Sequence, residues 1–119
     1  MERKIKHEER PWGEFFQLSF NEISTSKVLV VEPYQRLSLQ SHQKRDELWM
    51  AICGKPRVEN NGKVIFLKQF DTVLIPAGSE HRLSAHEDKV VLIEVSFGEF
   101  DENDEVRHED DYNREKNPA

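Results

Sequence analysis

Gln40-Ser41-His42-Gln43-Lys44-Arg45-Asp46-Glu47 is the stretch on which the reading of the fold turns. Side chains alternate along a strand, so Gln40 and His42 share one face. The polar residues Gln43 to Asp46 read as a turn that brings a second strand back beside the first. That strand opens at Glu47 and carries Trp49, Ala51 and Cys53 on its own face. His81 follows another turn, Pro76-Ala77-Gly78-Ser79-Glu80, at the start of a further strand. Two imidazoles and one carboxylate suit a divalent transition metal, and Gln40 can add a carbonyl oxygen. Three protein donors with a weak fourth leave room for water or substrate. A histidine near a strand end is also commonly only solvated or hydrogen-bonded, and spacing alone leaves both readings open.

Outward from this stretch the same pattern repeats. Glu14–Phe20, Ser26–Val31, Leu37–Gln40, Leu48–Cys53, Lys63–Leu67, Thr72–Ile75 and Lys89–Phe97 all read as strands. They are rich in β-branched and aromatic residues and are broken by frequent turn signals. Asn60-Asn61-Gly62 is a strong tight-hairpin signal, because Asn and Gly tolerate positive φ. Pro33 and Pro56 mark strand ends or edges. Helix-period patterning is absent before residue 99, and Asp101–Arg107 is the one segment that reads as a short helix, with acids at its N-terminal end. The chain divides into a polar arm over 1–10, an all-β domain over 11–98 and an acidic tail over 99–119, partly packed on the domain. Many short strands with frequent turns predict an antiparallel sandwich or barrel.

Composition narrows the function. The chain has 119 residues, one domain's worth, and a net charge of −6. Residues 99–115 hold nine acids and two bases, a charge of −7, which leaves the remainder at +1. With no basic stripe to meet a phosphate backbone, nucleic acid is not an expected partner. Mean hydropathy is −0.77 and no apolar run approaches the ~20 residues of a membrane span, so no membrane partner is expected either. The first ten residues are charged throughout and carry no apolar leader stretch. Cys53 is the only cysteine, so no intrachain disulfide or cysteine-rich zinc site can form. It reads as a buried small hydrophobe. A reducing, cytoplasmic setting is expected.

The motifs resemble those of the cupin superfamily. Its first motif, G-x5-H-x-H-x4-E-x6-G, is matched by His42, Glu47 and Gly54, with Gln40 in place of the first His. Its second, G-x5-P-x-G-x2-H-x3-N, is matched by Pro76, Gly78 and His81. Tyr34 and Phe70 replace the two leading glycines, and Ala85 the closing Asn. More narrowly, the chain resembles the type II mannose-6-phosphate isomerase domain. This rests on Arg10-Pro11-Trp12-Gly13, Leu37 to His42, Arg45 to Trp49, Ile75-Pro76, His81-Arg82-Leu83 and Ile93-Glu94-Val95. The ending, Glu102 to Arg107 then Glu109 to Arg114, is similar to the family's E-D-D-I-x-R…E-D-x-Y-G-R. Asn113 stands at the family's Gly and can take the left-handed conformation a Gly there would need.

The resemblance implies a cupin double-stranded β-helix, that is a jelly-roll barrel, with a short helical acidic tail. It implies interconversion of mannose 6-phosphate and fructose 6-phosphate by proton transfer between C1 and C2. Gln40, His42, Glu47 and His81 would hold one divalent metal, with zinc first and manganese, iron, cobalt or nickel also compatible. Glu94 interrupts the apolar run Val90–Val95 and is the expected catalytic base if its face points inward; pairing with a buried Arg is the structural alternative, and a metal-bound hydroxide is the alternative base. Arg45, Arg82 and Arg107 are the expected substrate-phosphate ligands, each with pairing to a carboxylate as its alternative. Trp12 and Trp49 read as core more readily than as a sugar platform, and Trp49, on the face of Glu47, is placed to line the pocket. The family's domain commonly follows a mannose-1-phosphate guanylyltransferase domain, so a separate guanylyltransferase is a possible partner, and a non-catalytic metal- and sugar-binding module is the other reading. A homodimer is expected, to cover exposed edge strands.

Overall fold

Alternation sets the layout of the barrel. The computed structural model describes residues 5–114, so the first four residues of the polar arm and residues 115–119 of the acidic tail lie outside the described residues. The elements are β1 (Lys6–Arg10), β2 (Gly13–Gln17), β3 (Ser24–Val31), β4 (Leu39–His42), β5 (Glu47–Cys53), β6 (Arg57–Asn60), β7 (Lys63–Phe66), β8 (Thr72–Ile75), β9 (His81–Ser84), β10 (Val90–Phe97) and β11 (Glu105–Glu109). One sheet runs β3-β10-β5-β8, a second runs β11-β4-β9-β6-β7, and β1-β2 is a separate hairpin. Every pairing is antiparallel.

The two large sheets close on a shared interior whose two ends differ. Val31, Ala51, Val58, Leu83, Ala85, Val90 and Leu92 fill one end and are buried. Each large aliphatic side chain so buried contributes about 1.5–3 kcal/mol. Farther along the same strand faces the residues turn polar. On β5 the inward series from the apolar end is Ala51, Trp49, Glu47; its partners on β10 are Leu92, Glu94 and Ser96. On β9 it is Leu83 then His81, opposite Val58 and Asn60 of β6. The polar residues of the interior thus gather at one end of the barrel. The outer face of β5 and β10 is covered separately, where Leu48, Val95 and Phe97 pack with Ile5 and Leu18 from the N-terminal hairpin region.

Turn chemistry matches the sequence. Asn60-Asn61-Gly62 joins β6 to β7, with Asn61 at φ 50° and Gly62 at φ 83°. Asn113 takes the left-handed conformation expected of it, at φ 55°. Tyr34 and Phe70, which replace motif glycines, also sit at positive φ, 63° and 69°.

Four expectations are corrected. The helix over Asp101–Arg107 shrinks to one 3-10 turn, Glu102–Asp104, and Glu105–Glu109 is a strand. Seven residues are too few to sustain a helix alone, while the free edge of β4 offers a hydrogen-bonding partner. The Gln43–Asp46 turn does not set β5 beside β4; it carries the chain from one sheet to the other. Trp12 is 72% exposed, because it occupies the β1–β2 turn. Cys53 is exposed rather than buried: the β5–β10 register shifts just before it, at the strand's end. Among the described residues no helix is long and apolar enough to cross a membrane.

Candidate metal centre

His42, Glu47 and His81 converge at the polar end of the barrel. Their potential ligand atoms all lie within 4.8 Å of one another, and all three residues are buried. Each sheet contributes to the cluster: His42 ends β4, His81 opens β9, and Glu47 opens β5 on the opposite wall. Crossing between sheets at residues 43–46 makes Glu47 face the imidazoles across the interior.

Glu47 is held from several sides. Arg45 Nε donates to Oε2 at 2.9 Å, Trp49 Nε1 to Oε1 at 3.1 Å, and Ser96 Oγ to Oε2 at 3.4 Å. Burial pushes this carboxyl upward, but His42, Arg45 and His81 outweigh it and hold Glu47 below the usual carboxylate value. His81 donates from Nδ1 to the Ser79 carbonyl at 3.0 Å, which leaves its Nε2 lone pair facing the cluster. That Nε2 is buried without a hydrogen-bond partner and lies 3.9 Å from Glu47 Oε1. Burial lowers the His81 pKa, so the ring is kept neutral, as a metal ligand must be. An orphaned imidazole nitrogen, a second imidazole and a fixed carboxylate fit a divalent cation.

Gln40 stands beside His42. Its Oε1 is 3.1 Å from His42 Nε2, and its own amide donates to Ser38 Oγ at 2.9 Å. Glu94 faces inward, opposite Trp49 on β5 and Lys27 on β3. Burial, then the negative charge of Glu47, pushes its carboxyl up to about 8. Lys27, which sequence reasoning missed, lies over the Phe100 ring at 4.5 Å. Its position opposite Glu94 depends on a register between segments 67 residues apart, which local pattern does not carry.

The three arginines separate. Arg45 is buried: besides Glu47 it donates to the Asp101 carbonyl at 3.2 Å and stacks on Phe100 at 4.4 Å. Arg82 is buried on the face opposite His81, where it binds the Leu37 carbonyl at 3.0 Å and Glu109 at 3.2 Å. Arg107 pairs in register with Gln40, so it shares the face of the His42 cluster, with Nε 3.2 Å from Glu105 Oε2. Glu105, a second residue the sequence did not single out, stands opposite His42.

Comparison with known proteins adds a family and a fold. The sequence matches the family described as mannose-6-phosphate isomerase C-terminal over residues 2–111. It is 37% identical over 107 residues to mannose-1-phosphate guanylyltransferase ManC of Salmonella typhimurium, covering 88% of this chain and 22% of that protein. It is 37% identical over 113 residues to alginate biosynthesis protein AlgA of Pseudomonas aeruginosa, covering 92% of this chain and 23% of that protein. The chain thus spans less than a quarter of the length of these curated relatives. A cupin-2 domain from Rhodospirillum rubrum superposes with TM-score 0.62 at 22% identity, over 70% of this chain and 57% of that one. The likeness shows the cupin fold.

Proposed function

The chain belongs to the mannose-6-phosphate isomerase C-terminal family, and from that premise we propose that it is a metal-dependent sugar-phosphate isomerase domain that interconverts mannose 6-phosphate and fructose 6-phosphate. The observation that carries this reading is the buried His42, Glu47 and His81 cluster with its unpartnered His81 Nε2. These three residues would hold the metal, with Gln40 beside them through its 3.1 Å contact to His42 Nε2. Zinc is the first choice for a mixed nitrogen and oxygen set. A bound divalent cation would polarise the C1 and C2 oxygens of the sugar as a Lewis acid.

The remaining chemistry falls to side chains. Glu94, inward-facing and one strand from Glu47, is the proposed base. It takes the C2 proton of the aldose and returns it at C1, while the O2 hydroxyl proton ends on O1. Arg107, in register with Gln40, and Lys27, exposed on β3 in register with Glu94, are proposed to receive the phosphate. Arg45 and Arg82, whose guanidiniums are engaged inside the fold, are proposed to position Glu47 and to anchor the tail strand instead.

The test is a coupled isomerase assay on the metal-loaded chain, with mannose 6-phosphate supplied and fructose 6-phosphate read out. Chelator-sensitive turnover that His42→Ala abolishes is the expected result. Metal and sugar binding without turnover overturns the enzyme reading in favour of a binding module.

A second reading has its own support. The relatives named guanylyltransferases are more than four times longer than the matched region. We propose accordingly that this domain works with a mannose-1-phosphate guanylyltransferase unit in cytoplasmic sugar-nucleotide synthesis, which co-purification tests. Val28 and Val30, exposed on edge strand β3, support the proposed homodimer, which sedimentation tests.

A further inference from the structure

β11 delivers to the metal centre a carboxylate that neither cupin motif supplies. Glu105 stands opposite His42 in the β11–β4 pairing, and its Oε1 lies 3.7 Å from His42 Nε2. Gln40 Oε1 approaches the same nitrogen at 3.1 Å. The other ring nitrogen, Nδ1, faces Glu47 Oε2 at 3.5 Å. His42 is 3% exposed and Glu105 19%, so the pair is largely shielded from water.

A neutral imidazole has one donor nitrogen and one acceptor. Gln40 Oε1 is within hydrogen-bond distance of Nε2 and favours the tautomer with its proton there, and the Glu105 carboxylate adds its negative charge on the same side at 3.7 Å. Nδ1 then offers its lone pair to the space shared with Glu47 and His81. We propose, on the metal-dependent reading given above, that Glu105 is a positioning residue of the metal centre: its negative charge beside Nε2 reinforces the Nε2–H tautomer of His42 that Gln40 accepts from, and makes Nδ1 the stronger donor to a divalent cation. Carboxylate partners of ligating histidines act in this way generally, and their loss costs about 10–100-fold in metal affinity.

Glu105 opens strand β11, where a β-branched residue is well tolerated, so Glu105→Ile is a variant expected to fold.

The experiment titrates the full chain with Co²⁺ and Zn²⁺, following Co²⁺ absorption and calorimetric affinity. Glu105→Gln and Glu105→Ile should bind each metal about 10–100-fold more weakly, with a changed Co²⁺ spectrum and an unchanged metal-free melting temperature. Glu105→Asp should restore part of the affinity. If both the Gln and Ile variants bind as tightly as the parent, with its spectrum, the inference is overturned while the metal reading stands. If the parent chain binds neither metal, both fall. A lowered melting temperature with parental metal affinity would make Glu105 a strand residue only, and would also overturn the inference.

Discussion

Arg45 Nε and Glu47 Oε2 form a charge-assisted hydrogen bond of 2.9 Å between side chains that are 4% and 1% exposed. Arg45 is also fixed by the Asp101 carbonyl and the Phe100 ring. Removing one partner of such a pair leaves a buried charge uncompensated. Arg45→Met should therefore destabilise the fold by about 3–5 kcal/mol, read from denaturant unfolding. A phosphate ligand would behave otherwise: substitution would raise KM for the sugar phosphate and leave the unfolding midpoint in place. That second outcome would return Arg45 to the substrate site.

Glu94 gives the metal-free protein a pH signature. Burial, reinforced by Glu47, pushes its carboxyl up to about 8, against roughly 4.3 in an unfolded chain. The folded pKa is the higher one. The stabilisation is complete below the unfolded value and is lost as pH rises through the folded value. Glu94→Gln, which mimics the protonated acid, should lose little at pH 5 and be more stable than the parent at pH 8. Unfolding at pH 5, 6.5 and 8 with chelator present measures this. A variant-to-parent difference that is flat with pH would mean that Glu94 is not the group titrating.

Asp104 ties the tail strand to the turn before Glu47. Its two carboxylate oxygens accept the backbone N–H groups of Gln43 at 3.0 Å and Lys44 at 2.8 Å. Partial burial raises this carboxyl, but those hydrogen bonds and the charges of Arg45 and His42 outweigh it, so the net shift is downward. A depressed folded pKa means stability present above the unfolded value, about 3.9, and lost as pH falls through the folded value. Asp104→Ala should cost about 1 kcal/mol at pH 7 after allowance for solvent screening. The cost should vanish near pH 2. Hydrogen exchange should show the loss concentrated in β11.

Local pattern carried much of this architecture. The Asn60-Asn61-Gly62 hairpin and most strand spans follow from turn chemistry and period-2 apolar residues. The convergence of His42, Glu47 and His81 is foreshadowed by their spacing within the two motifs. What remained hidden depends on register between distant segments. Lys27 meets Glu94, and Glu105 meets His42, only after β3 pairs with β10 and β11 with β4. Acidic residues at the start of Asp101–Arg107 likewise made part of the tail read as a short helix. The free edge of β4 made it a strand, and no local propensity reports the presence of an edge.

The glycine positions of the cupin motifs make the last prediction. Gly54 keeps the motif glycine at φ 84°, and a Cβ there would lie 2.3 Å from the Lys89 carbonyl oxygen. Backbone cannot yield cheaply, so Gly54→Ala should destabilise by on the order of 3 kcal/mol or more. Tyr34 is the opposite case: its φ is 63° and its side chain is 73% exposed. Its backbone N–H donates to the His86 carbonyl at 2.7 Å, a bond that glycine would keep. Tyr34→Gly should stabilise the fold by about 1 kcal/mol by relieving the left-handed strain. Phe70 shares that strain at φ 69°, but its ring packs on Phe16 with centroids 5.1 Å apart. Phe70→Gly should therefore gain less than Tyr34→Gly, or lose stability outright. Parallel unfolding of the three variants orders them. Equal effects at Tyr34 and Phe70 would show that the ring contact contributes nothing, and a destabilised Tyr34→Gly would show that the left-handed backbone there is not strained.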